Sequence, residues 1–266
     1  MGQGWPLRCT WGPGRCNARA LLAAFALPTP ALAQAAPLKV LGTGAVAASA
    51  QEIAAVFTAR TGRAVALQTA NAGVVARRLR EGEAADLVLN SASQISALAD
   101  AGLVEAASAR ELGRMLIGVA VREGAARPDI STEAALRAAI LAAPVIAHSD
   151  PATGATAGTH AARLIERLWL AEAMRGRVLV FPGGGAAVGA VAEGRAAMAL
   201  SQISEIIAVP GAALVGPLPD TAQLVTPYVG AVATHAADAE GAHALLAALT
   251  GPEGQARFRA AGFAVG

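Results

Sequence analysis

From residue 38 onward the chain alternates between two apolar rhythms. Stretches with apolar positions three and four apart, the spacing of one helix face, fall at 46–61, 74–81, 93–101, 131–142, 156–170, 186–193 and 236–249. Between them lie short apolar runs at 38–41, 64–68, 86–89, 116–121, 145–147, 178–180 and 198–200. Strand followed by helix, many times over, predicts an α/β fold of parallel sheets with helices on both faces. No tandem repeat, heptad run or low-complexity segment interrupts the pattern.

Four strand-to-helix junctions share one design. They are Gly42-Thr43-Gly44-Ala45, Thr69-Ala70-Asn71-Ala72-Gly73, Asp150-Pro151-Ala152-Thr153-Gly154-Ala155-Thr156 and Pro182-Gly183-Gly184-Gly185. The first fits the G-x-G-x-x-A pattern of dinucleotide-binding folds, which also need an acid about 20 positions on for the ribose hydroxyls. Here no Asp or Glu stands between Glu52 and Glu81, and the second strand ends in neutral Gln68. No cofactor is expected. What remains is the helix start itself, with unpaired N–H groups and partial positive charge that suit an anion. In parallel α/β sheets ligands gather outside the carboxyl ends of the strands, so four such starts facing one cleft would hold a small anion without Lys or Arg. For any single junction the plainer reading is a turn with a helix cap. Two junctions in the first third and two in the middle suit a cleft between two lobes.

The first residues change the picture of where this happens. Arg8, Arg15 and Arg19 precede the apolar run 20–27, and Ala31-Leu32-Ala33 gives a small-x-small cleavage site before Gln34. This reads as a secretory signal peptide at 1–33, removed near Ala33 to leave a periplasmic or secreted protein without stable membrane insertion. Both cysteines, Cys9 and Cys16, leave with it, so neither a disulfide nor a thiolate is available afterwards. Loss of three arginines and no acid takes the formal net charge from +2 to −1. That charge, with Tyr228 as the sole tyrosine, excludes a basic, aromatic nucleic-acid surface.

Candidate side chains follow the junctions. Thr43, Asn71, Thr153, Thr156, Ser201, Gln202 and Ser204 stand at strand ends as donors for an anion, though each alone reads equally well as a cap or turn former. Arg77 and Arg78 follow Asn71 by about one helical turn and read as solvated helix-face residues. If the cleft performs proton transfer, His148, Asp150 and Glu205 are the candidates, His148 best placed at the end of its strand. Against each stands a local role: a structural hydrogen bond, a turn cap, a pairing within the helix. No metal is expected, because His160, His235 and His243 lack ligand spacing and no H-E-x-x-H occurs; the absence of G-x-S-x-G argues against a serine hydrolase.

Three further pieces carry a resemblance: F-x-x-x-T-G at 57–62, R-L-R-E-G-E-A-A-D-L-V-L at 78–89, and the terminal "GPEGQARFRAAGF". Over residues 38–263 the chain resembles the type II periplasmic solute-binding proteins related to molybdate-binding protein. The resemblance implies a two-lobed periplasmic-binding-protein type II fold with a ligand cleft, lobe one at 37–115 plus 225–266 and lobe two at 116–224, hinged near 116–117 and 224–225. It implies a monomer that takes a small anion, an oxyanion such as molybdate or a small carboxylate, and an ABC permease as partner. The implied ligand-binding positions are Thr43, Gly44 and Ala45; Asn71, Ala72 and Gly73; Thr153 and Gly154; Gly184 and Gly185; and Gln202. At Ala45, Ala72 and Gln202 the family carries serine, serine and tyrosine, so the scaffold transfers and those three contacts do not. The second lobe, with "AHSDPATGAT" and "LSQISEI", is similar to a narrower group that includes periplasmic aconitate isomerases. That similarity implies the alternative, interconversion of trans- and cis-aconitate on the same fold.

Overall fold

The computed structural model describes residues 36–265; the signal peptide expected at 1–33 lies outside the described residues. In chain order the elements are β1 (Leu38–Thr43), α1 (Gly44–Thr61), β2 (Val65–Ala70), α2 (Ala72–Arg80), β3 (Leu87–Ser91) and α3 (Ala92–Asp100). There follow β4 (Arg110–Arg122), α4 (Glu133–Ala142), β5 (Ile146–Ser149), α5 (Thr156–Arg167), β6 (Val178–Phe181) and α6 (Gly184–Ala192). The chain closes with β7 (Met198–Gln202), α7 (Ile203–Ile207), β8 (Ala212–Pro217), β9 (Val225–Val232), α8 (Ala239–Thr250) and α9 (Pro252–Ala260).

Two parallel groups carry the two lobes. In one, β1 lies between β2 and β3; in the other, β5 lies between β6 and β7. The expected parallel sheets are present, and antiparallel strands that the apolar pattern does not announce join them in the order β2-β1-β3-β9-β4-β7-β5-β6, with β8 also on β4. The long strand β4 makes the connection. Its first half runs against β9 as far as the pair Leu116 and Val225; from Ile117 it runs against β7, and from Gly118 against β8. Each group has its own apolar core: Leu38, Val46, Leu87 and Phe258 belong to one, Ile117, Leu136, Ile146 and Leu200 to the other. Full burial of such a side chain contributes about 1.5–3 kcal/mol, so each lobe is held chiefly by its own interior.

The helix starts lie closer to the strand ends than the sequence pattern predicts. α1, α2 and α6 each begin two residues earlier than their apolar periodicity, at Gly44, Ala72 and Gly184. Small residues that read as turn are instead the first helical turn, so their free N–H groups stand directly at the ends of β1, β2 and β6. α5 stops at Arg167, short of the predicted 170, and Trp169 adopts a left-handed φ of 57° in the turn that closes it. Among the described residues no helix is long and apolar enough to cross a membrane.

Candidate functional site

Residues from all four junctions line one small cavity. Thr43, Gly44 and Ala45 come from the β1–α1 junction; Ala70, Asn71 and Ala72 from β2–α2. Ser149, Ala155, Thr156 and Ala157 come from β5–α5, and Gly184 from β6–α6. Gln202 and Glu205 follow β7, and Tyr228 rises from β9. The cavity measures about 20 Å³, room for roughly one water molecule, so a larger ligand requires the walls to part. A groove of about 550 Å³ lies alongside, sharing Gly44, Ala70, Asn71, Gly184 and Glu205 with it and adding Gln51, Gly185 and Ser204. A further cavity of about 370 Å³ around Phe57 and Pro252 is mostly apolar and lies away from the four junctions.

The four helices that start here share a local feature. None of α1, α2, α5 and α6 has a side-chain cap, and none carries an acid in its first turn. Their first turns therefore bring partial positive charge to the cavity region without an acid of their own, although in α2 the Gly73 N–H is taken by Gly154 O. Among the described residues no Lys, Arg or His lines the cavity or the adjoining groove. Arg77 pairs with Glu81, and Arg78 binds Glu83 and Gln68 on the outer side of α2.

One carboxyl does reach the convergence. Glu205 is half-buried, its Oε2 accepts from the Ser201 hydroxyl at 2.8 Å, and the Gln202 backbone N–H also reaches it. A Cβ on Gly44 would collide with its Oε1, and one on Gly184 with its Oε2 and the Ser201 hydroxyl. The carboxyl thus rests against the first residues of α1 and α6, space that only glycine leaves open. Burial, the largest influence, raises its pKa, opposed by the hydrogen bonds from Ser201 and Gln202. Beside it, the buried Tyr228 is also shifted upward, by burial first and then by the Glu205 charge. Gln202 Nε2 donates to Tyr228 Oη at 3.1 Å, while the buried Thr43 hydroxyl and Gln202 Oε1 have no hydrogen-bond partner among the described residues.

The other expected residues are placed differently. Asn71 Nδ2 donates to Thr153 Oγ1 and to Pro182 O, both at 2.6 Å, clasping the first lobe to two turns of the second. Gly73 N–H donates to Gly154 O at 3.2 Å, and the two glycines lie so close that a Cβ on Gly73 would stand 2.7 Å from Thr153 O. Thr153, Gly154 and Gly73 therefore form this clasp outside the small cavity, and Gly185 lines only the adjoining groove. His148 is buried, with Nδ1 donating to Ser149 O at 2.8 Å, and lines neither cavity. Asp150 caps the turn at Pro151–Thr153, its Oδ1 accepting from Ala152 N. The residue that sequence reasoning missed is Tyr228. Its strand contains Pro227 and Gly230, which conceal strand character; its being the only tyrosine was the one available signal.

The same architecture recurs among known proteins. The family described as bacterial extracellular solute-binding protein matches residues 38–264. An aconitate isomerase from a Pseudomonas species is 34% identical over 235 residues, covering 85% of this chain and 87% of that protein. The periplasmic molybdate-binding protein of Azotobacter vinelandii superposes with a TM-score of 0.73 at 19% identity, covering 86% of this chain and 99% of its own. The sulfate-binding protein of Mycobacterium tuberculosis gives 0.67 at 18% identity, over 85% and 86% of the two chains.

Proposed function

The chain belongs to the bacterial extracellular solute-binding protein family, and on that premise we propose that it captures a small anion between its two lobes. One observation carries the reading: four uncapped helix starts and the unpartnered Thr43 hydroxyl converge on one small cavity. Helix N-termini hold anions through N–H groups and the helix dipole, which meets the need without a basic side chain. We place lobe one at 37–115 plus 225–266 and lobe two at 116–224. The partner switch of β4 at Leu116 and Ile117, beside the start of β9, supports a hinge there. Export with cleavage near Ala33, a monomeric state and delivery to an ABC permease complete the proposal.

Calorimetric titration of the mature chain with trans-aconitate, citrate, molybdate and sulfate tests it. Saturable binding of at least one anion is expected, with a radius of gyration that shrinks on binding. Failure of every anion, at concentrations that saturate other solute-binding proteins, would overturn the reading.

A second reading, interconversion of trans- and cis-aconitate, is supported by the Pseudomonas relative and by one geometric fact. Of the three candidate proton-moving groups, only Glu205 lines the cavity; His148 and Asp150 are held by local hydrogen bonds elsewhere. Such an isomerisation removes a proton from a carbon beside the double bond and returns one at the other end of the allylic system, so it needs a group able to take and give protons. Proton NMR of trans-aconitate with the mature chain decides it. Conversion abolished in Glu205→Gln and retained in His148→Gln is the expected pattern for catalysis; line broadening without conversion leaves capture alone.

A further inference from the structure

We propose that Glu205 sets the specificity of the cleft: the chain takes a carboxylate ligand by sharing one proton between that ligand and Glu205, and turns away tetrahedral dianions. The inference rests on the anion-capture reading of the same site and goes further by naming the ligand chemistry and the residue that selects it.

Position is the first argument. Glu205 belongs to the wall between the small cavity and the adjoining groove, lining both, and its carboxyl rests on Gly44 and Gly184, the first residues of α1 and α6. Those helix starts are where an anion would gain most. A ligand seated there meets a carboxyl of the protein at contact. Two carboxyl groups sharing such a site do not both ionise; one keeps a proton that bridges them. A carboxylate ligand accommodates this by a short hydrogen bond. A tetrahedral dianion adds charge against an acid and offers the site nothing that a cationic side chain would balance.

Apart from the starts of α1 and α6 and the hydrogen bonds from Ser201 and Gln202, the described surroundings give Glu205 no partner for its charge. Of the elements packed near it, α6, β7 and β8 carry no titratable side chain, and β9 carries only Tyr228. On α1, Glu52 is paired with Arg257 and Arg60 with Glu253, and the ionisable residues of β4, namely Arg110, Glu111, Arg114 and Arg122, are exposed. Burial favours the neutral carboxyl in the same direction, against the Ser201 and Gln202 hydrogen bonds.

Calorimetry in two buffers of different ionisation enthalpy reads protons directly. Above the pH at which the ligand-free Glu205 ionises, the native chain should take up close to one proton per trans-aconitate, with affinity falling about tenfold per pH unit over that range. Glu205→Gln should bind without that uptake and with a flat profile, and should accept molybdate that the native chain rejects. Equal proton uptake in both chains, no uptake in the native chain, or native binding of molybdate as tight as that of trans-aconitate would each overturn the proposal. A ligand-free arm guards against a folding artefact and separates this inference from the reading beneath it. Because the folded carboxyl holds its proton above the ordinary value of 4.5, the native chain should lose thermal stability relative to Glu205→Gln as pH rises through the folded pKa. A difference that stays constant with pH would sink the role of Glu205 even if trans-aconitate binds. Absence of binding by any anion, with that pH trend intact, would instead remove the capture reading and this inference with it.

Discussion

Helix starts in this molecule are built in two ways. At α4 the Thr132 hydroxyl accepts from Ala135 N at 3.1 Å, and at α8 Asp238 accepts from Gly241 N at 3.0 Å; Glu133 and Glu240 add a negative charge to those first turns. At α1, α2, α5 and α6 there is neither cap nor acid. The cleft even holds two favoured capping residues that do not cap: Thr43 is left without a partner and Asn71 reaches across to the other lobe. A cap is worth about 1 kcal/mol to a helix. Forgoing it at four neighbouring starts, while keeping it at α4 and α8, shows where local stability yields to an available N–H. α3 also lacks a cap, its Ser91 hydroxyl turning to Ser93, so a missing cap alone marks nothing; convergence on one cavity does.

The contrast breaks most severely at Gly184. A valine there drives its Cβ into Glu205 and Ser201, with a stability cost of about 1–3 kcal/mol for overpacking and loss of anion binding. Gly189, on the same helix with open space around its Cα, is the control: alanine should stabilise by about 0.4–1 kcal/mol and leave binding intact. Thermal unfolding and calorimetry on the pair check both, and native-like binding by Gly184→Val would refute the packing described. A smaller effect is expected at the clasp. Gly73→Ala places a Cβ 2.7 Å from Thr153 O and 2.9 Å from the Gly154 Cα, so closure is obstructed. Affinity should fall about tenfold, near 1.4 kcal/mol, with a larger radius of gyration in the presence of ligand. An unchanged affinity would show that the Gly73 and Gly154 contact plays no part in closure.

How much of this the sequence disclosed depends on the range of the interactions. The four junctions were legible because turn residues between a strand and a helix are neighbours in the chain. The antiparallel centre was not. Strand β9 is missing from the apolar runs because Pro227 and Gly230 weaken its pattern, and only the resemblance, with its hinge near 224–225, pointed to it; its pairing of Val225 with Leu116 lies far outside any local window. The first half of β4 hides for a related reason: exposed Arg110, Glu111 and Arg114 separate its buried Leu112 and Met115, and a bulge at Gly113, whose φ of 145° suits glycine, breaks the alternation. Glu205 was nameable as a candidate but ranked behind His148, because its distinguishing contacts come from Gly44 and Gly184 in other segments. Asn71 read as a donor at a strand end; that its amide is engaged by Thr153 and Pro182 depends on segments 82 and 111 residues away, which only the fold brings near.

The finest test separates the two kinds of helix start with one substitution, threonine to alanine. At Thr132 the hydroxyl caps α4, so the change should cost about 1 kcal/mol of stability and leave anion affinity alone. At Thr43 the hydroxyl is buried without a partner. Removing such a group can be neutral or stabilising, because its desolvation is uncompensated in the ligand-free fold. Its value should appear only when an anion arrives. A hydrogen bond to a charged group is worth about 1.5–3 kcal/mol, so affinity should fall by about 10- to 100-fold while thermal stability holds or rises slightly. Measured together, the two variants should cross, one losing stability and the other losing affinity. Parallel losses in both would mean that Thr43 is an ordinary structural residue, and the uncapped starts would then have to be explained by packing alone.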